Sequence, residues 1–285
     1  MRSYTVIDDS LDRNLCSKYH LSIQTSLDGF SFCILDTSSK KYLALKHFSF
    51  DPSIQETMFA KIIHKVIASE ELLHKPYKRV YMSVVTNKSI LIPSSLFDKN
   101  KLSGYFEFSQ VLNSTDVLLY NKMNNAGAFN IFAIPEGIDS ILDDYFPVRN
   151  IYHHSVSLIE NALDSSRAGH NEKRVYVEIH RSFFNIVVTN GDSLLLYNTF
   201  SYKDSSDMLY YILNIYKQLD LSVENNALII SGEIAVNSNH YFLIKKYFRQ
   251  VMLEEFSSKF FYSNTFNKIP DQHFTNLINL FNCVS

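Results

Sequence analysis

The feature that most constrains this chain of 285 residues is a pattern that occurs twice. Residues 20–25 alternate into a turn at Leu27-Asp28-Gly29. Residues 30–35 form a second alternating run, 36–40 a polar turn, and 42–50 a third run. Apolar alternation punctuated by Gly, Asp and Ser predicts a three-stranded antiparallel meander. A helix follows, opened by Asp51-Pro52-Ser53 with Glu56 as the capping-box partner of Ser53, and runs to about Leu73. A short apolar run at 79–85 then predicts a buried strand. From Arg174 the order restarts. Strands are predicted at 174–179, 183–189 and 193–202, with a hairpin turn at Asn190-Gly191-Asp192. A helix over about 205–219 and a buried strand at 227–230 complete the second copy. The third strands also end alike, in Phe48-Ser49-Phe50-Asp51 and Phe200-Ser201-Tyr202-Lys203-Asp204. A long repeat in two copies predicts a pseudo-symmetric pair and not a solenoid. The competing reading is two unrelated α/β segments that share a common meander.

Between and after the copies the pattern is less regular. Residues 93–97 read as the start of a short helix, with Ser94 and Ser95 as caps. Residues 117–123 and 128–134 read as strands. Pro135 opens a helix to about Tyr145, Pro147 ends it, and 155–164 is helical. The small, polar stretch 165–172 is read as a hinge. A helix at 238–248, a strand at 251–256 and a helix at 272–282 close the chain. The expected organisation is an irregular lead-in (1–17), a first half with an insertion (18–168) and a second half (169–285).

Composition excludes several classes. With 46% hydrophobic residues the chain can bury a core. The net charge is −2, and the densest basic cluster is Lys245, Lys246 and Arg249. That is too small a footprint for a nucleic-acid groove, so nucleic acid is not the expected partner. Cys16, Cys33 and Cys283 match no zinc spacing and read as buried thiols of a reducing compartment. No apolar run reaches the ~18 residues a membrane span needs. Residues 1–12 carry Asp8, Asp9 and Asp12 and lack the apolar core of a signal peptide. The expected location is the cytoplasm, with no membrane insertion.

Two tandem β-β-β-α-β-α units resemble the actin, hsp70 and sugar-kinase superfamily. Residues 20–50, the run Ile92-Pro93-Ser94-Ser95-Leu96-Phe97, and residues 131–145 and 174–233 resemble an uncharacterised bacterial family of unknown function with an actin-like ATPase fold. The chain is more distantly similar to actin-like cytoplasmic proteins of type IV pilus and type II secretion systems. The resemblance implies an α/β, actin-like (ribonuclease H-like) duplicated fold. Each half would hold a mixed five-stranded sheet flanked by helices. It also implies ATP held between halves by two hairpin turns, acidic residues that position magnesium, and glycines where adenosine approaches the backbone.

Carried over, the phosphate positions fall on Gln24, Thr25, Ser26, Asp28 and Gly29 in the first half. In the second half they fall on His180, Arg181 and Ser182, with adenosine at Ser231, Gly232 and Glu233. The fit is poor. Gln24 or Thr25 stands where the first strand would end in a carboxylate. Asp28-Gly29 is ordinary hairpin chemistry. The second turn has neither glycine nor carboxylate, and Glu178, the nearest acid, alternates onto the face opposite Ile179. His180 and Arg181 could hold a phosphate, or be solvated turn residues. Gly232 could serve only a tight turn. The chain has seven glycines and no P-loop, G-x-G-x-x-G, G-x-S-x-G or H-E-x-x-H motif. The pairs His153-His154, Asp143-Asp144 and Glu254-Glu255 read as surface residues, since neighbours on a helix point about 100° apart. No catalytic or metal-ligating residue is expected, and no cofactor is assigned. The leading expectation is a non-catalytic scaffold that binds a protein partner. Its rivals are a weak ATPase or nucleotide-gated switch, and a nucleic-acid-associated factor.

Overall fold

The computed structural model describes residues 3–51, 56–167 and 172–284. The capping box at Ser53 and residues 168–171 of the expected hinge lie outside the described residues. The chain divides into two compact units. The first runs to Val156 and takes in Ser257–Ile269. The second comprises Ser157–Phe256 and Pro270–Cys283.

In the first unit, strands β1 (Ser3–Ile7), β2 (His20–Ser26), β3 (Gly29–Asp36), β4 (Lys41–Ser49), β5 (Arg79–Val84) and β9 (Asn150–His153) form one sheet. Its order is β1-β4-β3-β2-β5-β9. The first three pairings are antiparallel, and β2, β5 and β9 run parallel. Alternation sorts the faces. Leu21, Ile23, Phe30, Phe32, Val80 and Met82 build the core with helices α1 (Glu56–Ser69) and α3 (Glu136–Tyr145). Phe59, Ile63 and Ile67 recur every fourth residue of α1, as do Ile138 and Leu142 in α3, so each helix presents one apolar stripe to the sheet. Pro135 is the N-cap of α3, where its missing N–H costs nothing.

An insertion separates β5 from β9. Strands β6 (Ser89–Pro93), β7 (Asp116–Met123) and β8 (Ala128–Pro135) form an antiparallel sheet in the order β6-β8-β7, accompanied by the short helix α2 (Leu102–Glu107). The helix expected at 93–97 is absent. Pro93 ends the outer strand β6, a place where a residue without an N–H is tolerated, and the Leu96 amide closes a turn on the Pro93 carbonyl. A side chain of the insertion clamps it to the edge of the main sheet. Asn121 on β7 donates from Nδ2 to the Ile151 carbonyl (2.9 Å), and its Oδ1 accepts from the His153 amide (2.8 Å). A carboxamide thus does for β9 what another strand's backbone would do. Asn130 of β8, fully buried, donates to Ser155 Oγ (2.5 Å) and lies 3.0 Å from His153 Nδ1. His153 and His154 are therefore no surface pair. They are buried at the junction of β9 and helix α4 (His154–Arg167), with ring centroids 4.2 Å apart.

The lead-in is not irregular either. Residues 3–7 pair antiparallel with β4, from Ser3 opposite Phe48 to Ile7 opposite Ala44. Five residues are too few for alternation to stand out in the sequence, and this strand exists because β4 offers it an edge. Behind it, buried Asp8 bonds Ser10 and Lys41 Nζ (2.9 Å). Burial raises its pKa, but the hydrogen bonds from Ser10 and Lys41 outweigh that and hold the carboxyl well below its usual range. Segment Ser257–Ile269 also closes on β4. Tyr42 donates its amide to Phe261, Phe261 donates to Lys40, and Tyr42 stacks on Tyr262 with centroids 5.6 Å apart.

The second unit repeats the sheet without an added strand. Strands β10 (Lys173–Ile179), β11 (Phe183–Asn190), β12 (Ser193–Ser201), β13 (Leu228–Gly232) and β14 (Val251–Leu253) lie in the order β12-β11-β10-β13-β14. One face packs Val175, Val177, Ile186 and Ile230 against Met208, Ile212 and Ile215 of α5 (Ser205–Gln218) and Ile244 of α6 (Asn239–Tyr247). Asp204 caps α5 through the Ser206 and Asp207 amides. The other face meets α4 and α7 (Asp271–Val284), where Ser166 Oγ lies 2.6 Å from Thr189 Oγ1. Ser165–Arg167, read as hinge, complete α4.

The repeat extends to strand register. Gln24 stands opposite Ser31 and Ser83, and Glu178 stands opposite Asn185 and Ser231. Ser31 stands opposite His47, and Asn185 opposite Thr199. The Phe50 amide bonds the Asp28 carbonyl, and the Tyr202 amide bonds that of Ser182. The register shifts in the two copies also coincide, at Ile34/Leu35 and Val188/Thr189.

Candidate functional site

The first hairpin satisfies itself. Ser26 pairs with Gly29 across a two-residue turn, and Ser26 Oγ accepts from the amides of Asp28 and Gly29, each at 3.1 Å. Two N–H groups that could otherwise face an anion are thus occupied by the chain's own hydroxyl. Gly29 is there for close packing, because a Cβ would come within 2.6 Å of the Phe48 carbonyl oxygen. Gln24 is half-buried, while Thr25 and Ser83 are buried. Among the described residues, Gln24 Oε1, Thr25 Oγ1 and Ser83 Oγ make no hydrogen bond. Thr25 sits on the same face as Ile23, whereas Gln24 and Ser83 share the opposite face.

In the second hairpin Arg181 and Ser182 are exposed, but His180 is buried. Its ring stacks on Phe183 with centroids 4.6 Å apart, and its Nε2 lies 3.2 Å from Glu178 Oε2. His180 is therefore a packed residue and not a solvated one. Tyr202 donates its hydroxyl proton to the His180 carbonyl (2.6 Å). Ser231, Gly232 and Glu233 lie beside this hairpin within the second unit. Ile179 pairs with Gly232, and the Glu233 amide donates to the Ile179 carbonyl at 2.7 Å. Gly232 has φ +86°, and a Cβ on it would meet the Ile179 oxygen at 2.2 Å. A tight turn and a close strand crossing together require glycine here.

Sequence reasoning passed over Glu178. Register makes it the counterpart of Gln24: each sits two residues before the residue that closes its hairpin. Counting back from the two turns, instead of looking for an acid within them, finds it. Its carboxylate is held by Asn276 Nδ2 (2.7 Å) and Asn185 Nδ2 (3.1 Å). One half thus keeps a buried carboxylate where the other carries a neutral amide.

The fold has known counterparts. The model of the family described as "Protein of unknown function (DUF3822)" matches residues 8–251. The chain belongs to this family. Among solved structures it is similar to a Bacteroides thetaiotaomicron protein described as having an actin-like ATPase fold and unknown function. That likeness has 26% identity and a TM-score of 0.78, covering 86% of this chain and 93% of that one. It is also similar to the PilM-PilN type IV pilus biogenesis complex (9% identity, TM-score 0.60, covering 93% of this chain and 98% of that one). A third counterpart is the ethanolamine utilization protein EutJ from Carboxydothermus hydrogenoformans (10% identity, TM-score 0.51, covering 96% and 92%). No curated protein matches the chain. The fold of this family member is α/β and actin-like, with mixed sheets flanked by helices. The second unit holds a mixed five-stranded sheet, as expected, and the first a mixed six-stranded one that includes β1 and β9. No helix among the described residues is long and apolar enough to cross a membrane.

A second acid of this family member was misread. Glu254, taken as one of a surface pair, follows β14 and bonds Asn161 Nδ2 (2.8 Å) and Thr275 Oγ1 (2.9 Å). Burial raises its pKa, the nearby charge of Glu178 adds to the rise, and bonds from Thr275, Ser231 and Asn161 oppose it. The folded state therefore binds this proton more tightly than the unfolded chain does. The resulting stabilisation is full below the ordinary value of 4.5 and is lost as pH climbs through the raised one. Glu254→Gln should flatten the fall of melting temperature as pH rises above 4.5. Thermal melts of both proteins across that window check it, and parallel curves would show that Glu254 does not titrate there.

Proposed function

We propose that this chain is a non-catalytic actin-like scaffold that binds a protein partner and carries a degenerate nucleotide site. The observation that carries this reading is the first hairpin. Its Asp28 and Gly29 amides are taken by Ser26 Oγ, and neutral Gln24 holds the register position that Glu178 holds in the second copy. Hydrolysis of a nucleoside triphosphate needs donors poised for the phosphates and carboxylates for the metal; at the first hairpin two amides are already taken and position 24 carries no carboxylate. The candidate nucleotide residues remain Gln24, Thr25, Ser26, Asp28 and Gly29 in the first copy and His180, Arg181, Ser182, Ser231, Gly232 and Glu233 in the second. Any ligand there would be polar and weakly held. That a structural counterpart forms a complex in type IV pilus biogenesis supports a protein partner, and the proposed location is the cytoplasm.

With ATP and magnesium, turnover should stay far below about 1 s⁻¹, an ordinary enzymatic rate. ATP, ADP and GTP should leave the melting midpoint unchanged, because only a ligand that binds the folded state raises it. Turnover near that rate, abolished by Asp28→Ala, would overturn the scaffold reading.

A nucleotide-gated switch is the second reading. Glu178 and Gly232 favour it, as do the unbonded Gln24 Oε1 and Ser83 Oγ at the carboxyl ends of two parallel strands. A rise in melting midpoint without turnover would move the assignment there.

A further inference from the structure

Helix α7 buries a polar stripe in the second unit. Gln272, Thr275, Asn276 and Asn279 recur at helical spacing, and all four are buried. A helix of a protein interior normally turns only an apolar stripe inward. The partners of this stripe include two acids. Glu178 and Ser231 pair in adjacent parallel strands, and Glu254 follows Leu253, the partner of Ile230, so the three stand in one row on one face. Neighbouring strands lie about 4.8 Å apart, which sets the Cα atoms of the two acids roughly 10 Å apart with Ser231 between them. α7 holds both ends of the row. Asn276 Nδ2 donates to Glu178 Oε1 (2.7 Å), and Thr275 Oγ1 donates to Glu254 Oε2 (2.9 Å). From α4, Asn161 Nδ2 donates to Glu254 Oε1 (2.8 Å), and Ser157 Oγ donates to the Asn276 carbonyl (2.7 Å).

We propose that this row is a proton-operated latch: α7 is firmly seated while Glu254 carries a proton, and its seat loosens when Glu254 and Glu178 are both ionised. The surroundings give the direction. The donors to Glu254 are neutral: Asn161 from α4, Thr275 from α7 and Ser231 from β13. Ser231, whose hydroxyl can accept as well as donate, is the neighbour that suits a protonated Glu254. The charge that bears on Glu254 is that of Glu178 on β10. Of the imidazoles, His180 lies against Glu178 Oε2 (Nε2 at 3.2 Å), and His273 of α7 bonds the Ile234 carbonyl (3.0 Å). Asp271, in the first turn of α7, accepts from the Phe256 amide, and Glu255 is exposed. No lysine or arginine stands in this set. Ionising Glu254 therefore meets burial and the charge of Glu178, with no fixed cation to offset them.

Cys283 of α7 reports on the seat. Its half-buried thiol lies 3.8 Å from the Ser157 carbonyl of α4, while Cys16 and Cys33 are buried in the first unit. The experiment is iodoacetamide labelling of Cys283 in the full chain, read by peptide mass. Each rate is divided by that of the urea-unfolded chain at the same pH, which removes the thiolate fraction. The corrected rate should climb as pH rises above 4.5 and then level off. One linked proton sets the climb at up to about tenfold per pH unit. Over the same range the amides of α7, corrected for intrinsic rates, should exchange faster while those of α5 do not. Glu254→Gln should abolish the climb. If that variant fails to fold, Glu178→Gln decides: without the like charge, the climb should end at a lower pH. A flat wild-type rate, a climb that survives Glu254→Gln, an unshifted end point in Glu178→Gln, or α5 amides that open in step with α7 would overturn the inference.

Discussion

Gly232→Ala should destabilise the second unit by about 3 kcal/mol or more, the range in which forced backbone and steric clashes combine. Two independent costs meet at this residue. Its φ of +86° is a conformation that side-chain-bearing residues rarely adopt. A Cβ would also lie 2.2 Å from the Ile179 oxygen and 2.8 Å from its nitrogen, and neither atom can step aside. Ile179 is fixed by its pairing in β10, and its carbonyl already accepts the Glu233 amide. The expected outcome is a large fall in urea midpoint, with hydrogen exchange accelerated first in β10 and β13. Gly104→Ala serves as the control, because a Cβ there meets nothing within 4 Å. In helix α2 it should be neutral or slightly stabilising. Equal stabilities for Gly232→Ala and wild type would show that the strand crossing is looser than described.

Asn121→Leu should cost about 2–4 kcal/mol, since it leaves a buried carbonyl and a buried amide without partners. Asn121 is 8% exposed, and both halves of its carboxamide are used by β9 backbone, at Ile151 and His153. Leucine fills the same volume, so the loss would be polar and not a cavity. Asn121→Asp should fall between the two, because it keeps the acceptor for the His153 amide and sets a carboxylate oxygen against the Ile151 carbonyl. The readout is limited proteolysis: cleavage within residues 86–147 should rise before the main sheet melts. Unchanged protease resistance would mean that the apolar contacts of Phe132, Ile134, Val117 and Leu119 hold the insertion without the clamp.

The parts of this fold that were legible in the sequence are those where one strand face is apolar and the turn residues are conspicuous. The two meanders, α5 and the strand at 79–84 all announce themselves by period. Strand β1 did not, because five residues ending at Ile7 carry too little pattern and depend on an edge far away in the chain. The helix wrongly expected after Pro93 followed a helix-start cue that also suits the end of an outer strand. The candidate site was harder. Asp28 and Gly29 drew attention as turn residues, although one of the turn's organisers is Ser26 Oγ, a contact no motif encodes. Glu178 and Glu254 were passed over because their meaning comes from partners distant in sequence, Asn276 and Asn161. Polar pairs of that kind, buried or half-buried, leave no periodic trace.

The β4 edge also sets a schedule for the newborn chain. Lys41 bridges to Phe261, a residue about 220 positions later. At the ~5–20 residues per second of synthesis, the first unit waits roughly ten to forty seconds for its last segment. Every strand of the second unit, β10 through β14, leaves the ribosome within that interval. The unit begun first therefore closes only after every strand of the second has been made, and until then its Tyr42 lacks the Tyr262 ring that stacks on it.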